Sequence, residues 1–140
     1  MSVGLPCIVE RRGMELIQAA EIREFLNSGV TSRQLLFPEN SSSARLTITR
    51  VTVKPGARNP AHRHPTSEQV WVALRGSGEL HLEEGRIASF SQGDVVRFED
   101  GELHGFENTG DADFEYLSVT SPPVNFRAAY EKNWSGRAKE

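Results

Sequence analysis

From Ala44 to Val119 the chain runs in short β-prone segments, several of them alternating apolar with polar residues, and glycine-containing turns recur between them. An apolar period of two means strands, because successive side chains on an extended backbone point to opposite faces. Strands are therefore predicted at Arg45 to Val53, Gln69 to Leu74, Glu79 to Glu83, Ile87 to Phe90, Val95 to Phe98 and Phe114 to Val119. Turns carry Gly76, Gly78, Gly85, Gly93, Gly101 and Gly110. Many short strands with almost no helix among them restrict the fold to an all-β sandwich or barrel.

The flanks read differently. Met1 to Gly13 is an irregular arm with Ile8-Val9 as its apolar part. Leu16, Ile17, Ala20, Ile22, Phe25 and Leu26 fall near helical spacing and Asn27-Ser28-Gly29 supplies a stop, so a short helix is expected over Ala20 to Leu26. Gln34 to Phe37 reads as a strand ended by Pro38. Past Pro122-Pro123, the spacing of Phe126, Tyr130 and Trp134 suits a short amphipathic helix docked on the barrel or on a partner subunit.

A chain of 140 residues suits one domain with its own core. Residues 1–140 are read as that domain, with a barrel at 44–119, an N-terminal arm and helix at 1–43 and a tail at 120–140. A net charge of -3 without a Lys/Arg cluster argues against nucleic-acid binding. No apolar run approaches the roughly 20 residues of a membrane span, and the start lacks the pattern of a signal peptide, so a cytoplasmic protein without membrane contact is expected. Cys7 is the sole cysteine, which excludes an intramolecular disulfide and a cysteine-based zinc cluster.

The chemistry-bearing stretch is His62-Arg63-His64-Pro65-Thr66-Ser67-Glu68-Gln69. On an extended segment His62 and His64 share a face and can aim at one metal ion, although His-x-His alone specifies little. A third histidine, His104, follows a strand between two glycine turns, in Gly93-Asp-Val-Val-Arg-Phe-Glu-Asp-Gly101-Glu-Leu-His104-Gly-Phe-Glu-Asn108. His81 lies on an alternating strand outside this arrangement and reads as a surface residue.

Together these stretches resemble the two motifs of the cupin superfamily. Gly56, His62, His64 and Gly76 match the first motif, and Gly93, Gly101, His104 and Asn108 match the second, with Glu99 in the place of a proline. The resemblance implies a double-stranded β-helix, or jelly-roll barrel, with one divalent metal ion held by His62, His64, His104 and a fourth residue. That fourth place, usually glutamate, falls on Gln69 by its distance from Gly76, whereas the neighbouring Glu68 fits by its distance from His64. Alternation puts the two on opposite faces, so only one can point inward unless a bulge intervenes.

Iron, manganese, nickel, zinc and copper all suit such a donor set. If Gln69 points inward so does Trp71, and Phe106 shares a face with His104; both are candidates for the wall of a pocket or simply for the core. Arg50, on the face of Leu46 and Ile48, reaches a substrate carboxylate if that face is inward and solvent if it is not. The family resemblance implies either a metal-dependent enzyme of dioxygenase, isomerase or lyase type acting on a small oxygenated substrate, or a non-catalytic binding protein for a sugar or small acid. It also implies a homodimer.

Overall fold

The computed structural model describes residues 13–131. They form ten strands: β1 (Arg23–Asn27), β2 (Val30–Leu36), β3 (Thr47–Val53), β4 (Arg58–His62), β5 (Glu68–Arg75), β6 (Ser77–His81), β7 (Ile87–Ser91), β8 (Val95–Phe98), β9 (His104–Glu107) and β10 (Phe114–Ser121). A six-stranded sheet in the order β1-β2-β3-β10-β5-β8 faces a four-stranded sheet in the order β4-β9-β6-β7, and every pairing is antiparallel. This is the jelly-roll barrel that the alternation and the two motifs lead one to expect.

The glycines explain why the turns hold. Gly56, Gly76, Gly93 and Gly101, the four that the motifs share, all take a left-handed backbone with φ between 77° and 92°, a region that side chains bearing a Cβ rarely enter. Asn108 fastens the end of the second motif. Its amide donates to the carbonyls of Val53 and Ala112, and its Oδ1 accepts from the Gly110 N–H at 2.9 Å.

The core divides into two ends. At one end Val30, Val53, Ala73, Leu80, Phe90, Phe106 and Phe114 fill the space between the sheets, with the Phe106 and Phe114 rings stacked at 4.2 Å. At the other end the inward faces of the same strands turn polar and uncharged: Ser32 and Gln34 on β2, Thr47 and Thr49 on β3, Gln69 on β5, and Ser118 and Thr120 on β10 are all buried. Trp71 and Tyr116, whose tilted rings lie 4.3 Å apart, separate the two ends.

Three expectations change. The helix expected over Ala20 to Leu26 is a single 3-10 turn, Ala19–Glu21, followed by strand β1. Ser28 and Gly29, which read as a helix stop, are the two central residues of a tight hairpin, both with positive φ (46° and 84°). That geometry matches the twist of paired strands, and pairing with β2 overrides a weak helical periodicity even though it leaves Leu26 68% exposed on the strand. Strands β4 and β9 were absent from the alternation because Arg58-Asn-Pro-Ala-His and His104-Gly-Phe-Glu carry proline and glycine; they are extended because they pair with each other. Near the C-terminus Phe126–Glu131 is a 3-10 helix. Trp134, Cys7 and most of the N-terminal arm lie outside the described residues.

Candidate metal centre and cavity

His62 ends β4, His104 begins β9, and the two are register partners. His64 follows two residues on, in the loop before β5. The ligating nitrogens of His62, His64 and His104 lie within 4.8 Å of one another, close enough to converge on one ion with small side-chain adjustments.

Their hydrogen bonds prepare them for that role. His62 Nδ1 lies 2.7 Å from the Pro60 carbonyl and His104 Nδ1 lies 2.8 Å from the Glu102 carbonyl. Since a carbonyl only accepts, each Nδ1 carries the proton and leaves the Nε2 lone pair for the centre of the cluster. His64 Nε2 and His104 Nε2 are buried with no hydrogen-bond partner among the described residues. Burial is also the first cause that keeps all three rings neutral. It pushes His104 down to about 3 and His64 to about 4, the neighbouring His62 adding to both, and it lowers His62 against the pull of the Pro60 carbonyl. Neutral imidazoles with unsatisfied nitrogens are what a divalent ion needs.

The rings are held from the sides. Phe98 stacks on His104 at 4.2 Å, Trp71 meets it edge-on at 5.5 Å, and Phe126 from the C-terminal 3-10 helix meets His64 at 5.6 Å. The loops carrying the histidines are laced together as well. The Gly101 N–H donates to the His64 carbonyl, Arg63 donates to the Gly101 carbonyl and pairs with Glu83, and Glu83 accepts the Leu103 N–H.

Gln69 and Glu68 face opposite ways. Gln69 is 3% exposed and lines the cavity beside the histidines. The Trp71 indole N–H can only donate, so its 3.0 Å contact identifies the Gln69 atom it meets as Oε1, while Nε2 donates to Thr120 Oγ1 at 2.8 Å. Glu68 points outward and pairs with Arg97.

The remaining pocket candidates separate in the same way. Trp71 lines the cavity. Phe106 does not; it is packed in the apolar end against Phe114, with Gly78 directly over its ring. Arg50 is also not in the pocket, because β3 turns Thr47, Thr49, Val51 and Val53 inward and leaves Arg50 outside, paired with Glu115 at 2.6 Å. His81 sits beside Glu107 at 3.4 Å, away from the cluster.

The cavity next to the histidines encloses about 200 Å³. Beyond His62, His64, Gln69 and Trp71 it is lined by Ser32, Thr49, Asn59, Tyr116 and Ser118, with Phe126, Ala129 and Tyr130 of the 3-10 helix along one side. Asn59 Nδ2 donates to Tyr116 Oη at 2.7 Å. Burial raises the Tyr116 phenol well above 10, with Tyr130 adding to it, and raises Tyr130 to about 12 against a hydrogen bond from Ser32. Sequence reasoning missed this polar lining. The one available signal was the inward Val-to-Thr change along β3, which alternation shows without saying which face is inside.

A sequence model described as the cupin domain matches residues 49–120. An oxalate-binding protein of Thermotoga maritima is 35% identical over 78 residues, which are 56% of this chain and 63% of that protein, so the match spans less than two thirds of the relative. A predicted oxalate decarboxylase from Thermotoga maritima superposes with a TM-score of 0.67 at 27% identity, covering 76% of this chain and 98% of that one. The polyketide cyclase RemF from Streptomyces resistomycificus superposes with a TM-score of 0.64 at 26% identity, covering 80% and 84%. No helix among the described residues is long and apolar enough to cross a membrane.

Proposed function

The chain belongs to the cupin family, and from that premise we propose that it is a metal-dependent enzyme of dioxygenase, isomerase or lyase type. It acts on a small oxygenated substrate in the cavity beside His62, His64 and His104, with the Gln69 amide oxygen as fourth donor. The observation that carries this reading is the pair of buried, unpartnered nitrogens, His64 Nε2 and His104 Nε2, beside a cavity of substrate size. A divalent ion of iron, manganese, nickel, zinc or copper held there would supply Lewis-acid polarisation of a substrate oxygen, its charge undiminished by four neutral donors.

The chain's own residues orient and shield. Trp71 and Thr120 fix which way the Gln69 amide points, Phe98 fixes the plane of His104, and Phe126 covers His64. A second reading, a non-catalytic binding protein for a sugar or small acid, is favoured by the cavity's own ionisable groups. Among the described residues that line it there is no carboxylate, and its histidines are committed to the metal, which leaves no free general base beside the ligand. The similarity to an oxalate-binding protein supports the same reading.

Metal content after purification without added metal, followed by turnover of a panel of small oxo and hydroxy acids, tests both readings. His62→Ala and His104→Ala are expected to lose the metal, Gln69→Ala to bind it roughly tenfold or more weakly, and Glu68→Ala to match wild type. Unchanged metal content in both histidine variants overturns the metal site. Tight metal-dependent binding without turnover selects the second reading.

A further inference from the structure

The polar end of the barrel contains a group whose hydrogen bonding is incomplete. Thr49 is 4% exposed, lines the cavity, and its Oγ1 has no hydrogen-bond partner among the described residues. A buried hydroxyl without a partner is destabilising relative to a satisfied one, and the isosteric valine would avoid that cost. Its cross-strand partner on β10 is Ser118, which also lines the cavity. Tyr116, two residues before Ser118, presents its hydroxyl to the same cavity. One lone pair of Tyr116 Oη is taken by the Asn59 amide, so the phenol proton is left to donate. Asn59 belongs to β4, the strand that ends in His62. These groups and the histidines therefore face one space from its two sides.

We propose that Thr49, Ser118 and Tyr116 form a hydrogen-bonding subsite for a hydroxyl or carbonyl oxygen of the substrate, whose carboxylate or oxo group lies at the histidine cluster. The substrate class is a small hydroxy or oxo acid carrying one further hydroxyl a few bonds away. This rests on the metal-site reading and adds to it which part of the barrel selects the ligand. A cavity of about 200 Å³ suits a molecule of that size. The lining is neutral, so the far end of the ligand is polar and uncharged, since an isolated charge there would meet no partner. Thr49, Ser118 and Tyr116 are specificity-determining residues; no proton transfer is assigned to them.

The test compares two acids that differ by one hydroxyl, glycerate and lactate, binding to the metal-loaded protein by calorimetry, with metal content measured on the same samples. Wild type is expected to bind glycerate roughly tenfold or more tightly than lactate, the scale of one buried hydrogen bond. Thr49→Val is expected to remove that preference while leaving lactate affinity unchanged and raising the melting temperature. Tyr116→Phe, a second variant that keeps the ring packed against Trp71, is expected to reduce the preference as well.

A wild type that retains metal but binds the two acids equally, or binds neither, overturns the subsite and leaves the metal site standing. A preference that survives both substitutions also overturns it. A purely structural Thr49 would change the melting temperature and nothing else. Loss of the metal site itself appears separately, as missing metal in wild type.

Discussion

Gly105 is the residue on which the alignment of the two histidine-bearing strands most directly depends. It follows His104 on β9, and the chain opposite bulges: Asn59 pairs with Phe106 and His62 with His104, leaving one extra residue on β4 between them. The bulge brings the backbone of Ala61 onto Gly105. A Cβ there would lie 2.7 Å from both Ala61 Cα and Ala61 N, and 2.9 Å from the Asn59 carbonyl oxygen. Carbon atoms in contact rest at about 3.5–4.0 Å, so Gly105→Ala requires β4 to retreat by roughly 1 Å. Every clashing atom is backbone, which leaves no rotamer to relieve it.

Overpacking of this kind costs about 1–3 kcal/mol, or roughly 3–10 °C in melting temperature for a chain of this length. The same movement displaces His62 and Asn59 relative to His104. Metal affinity is therefore expected to fall by roughly tenfold or more, beyond the stability loss itself. Differential scanning calorimetry of the metal-free protein gives the first quantity, and cobalt(II) titration followed by its visible absorption gives the second. A Gly105→Ala protein with unchanged melting temperature and unchanged cobalt affinity would refute the reasoning.

Two further outcomes follow from contacts around the site. Arg63, between two histidines in sequence, pairs with Glu83, which also accepts the Leu103 N–H beside the third; Arg63→Ala is expected to weaken metal binding by roughly three- to tenfold, and a metal titration indistinguishable from wild type would remove Arg63 from that role. Glu39, hydrogen-bonded first by Arg127 and then by Asn125, has its carboxyl lowered to about 2, so the contact that fastens the 3-10 helix beside the cavity is complete above about pH 4.5 and is lost as pH falls through about 2. Carbon-13 NMR titration of Glu39 should show that low midpoint in wild type and a return toward 4.5 in Arg127→Gln, whereas a wild-type midpoint already near 4.5 would contradict the contact.

Local spacing made the barrel and its histidines legible. Alternation located most of the strands, and the left-handed turns of Gly56, Gly76, Gly93 and Gly101 can be read because few residues other than glycine accept that backbone. His62 ends β4 and His64 follows two residues on, so their convergence is a local property. What alternation cannot do is choose between faces: it separates Glu68 from Gln69, Trp71 from its neighbours and Arg50 from Thr49, but inside and outside are assigned only when the two sheets close on each other. That closure put Glu68 and Arg50 outside in ion pairs and Gln69 and Trp71 inside.

Sequence by itself therefore determined the family, the class of fold and the three candidate histidines, because each motif is local in the chain; that His104 meets the other two follows from the pairing of β4 with β9. The tertiary structure alone decided the rest. Strands β4 and β9 exist through their pairing with each other, the residues expected as a helix near the N-terminus became a hairpin through pairing with β2, and the polar cavity of Thr49, Ser118, Tyr116 and Asn59 is assembled from β3, β10 and β4, which belong to two different sheets. The physical reason is common to all three: hydrogen bonds and burial between paired segments outweigh the weak preferences of each segment for its own conformation.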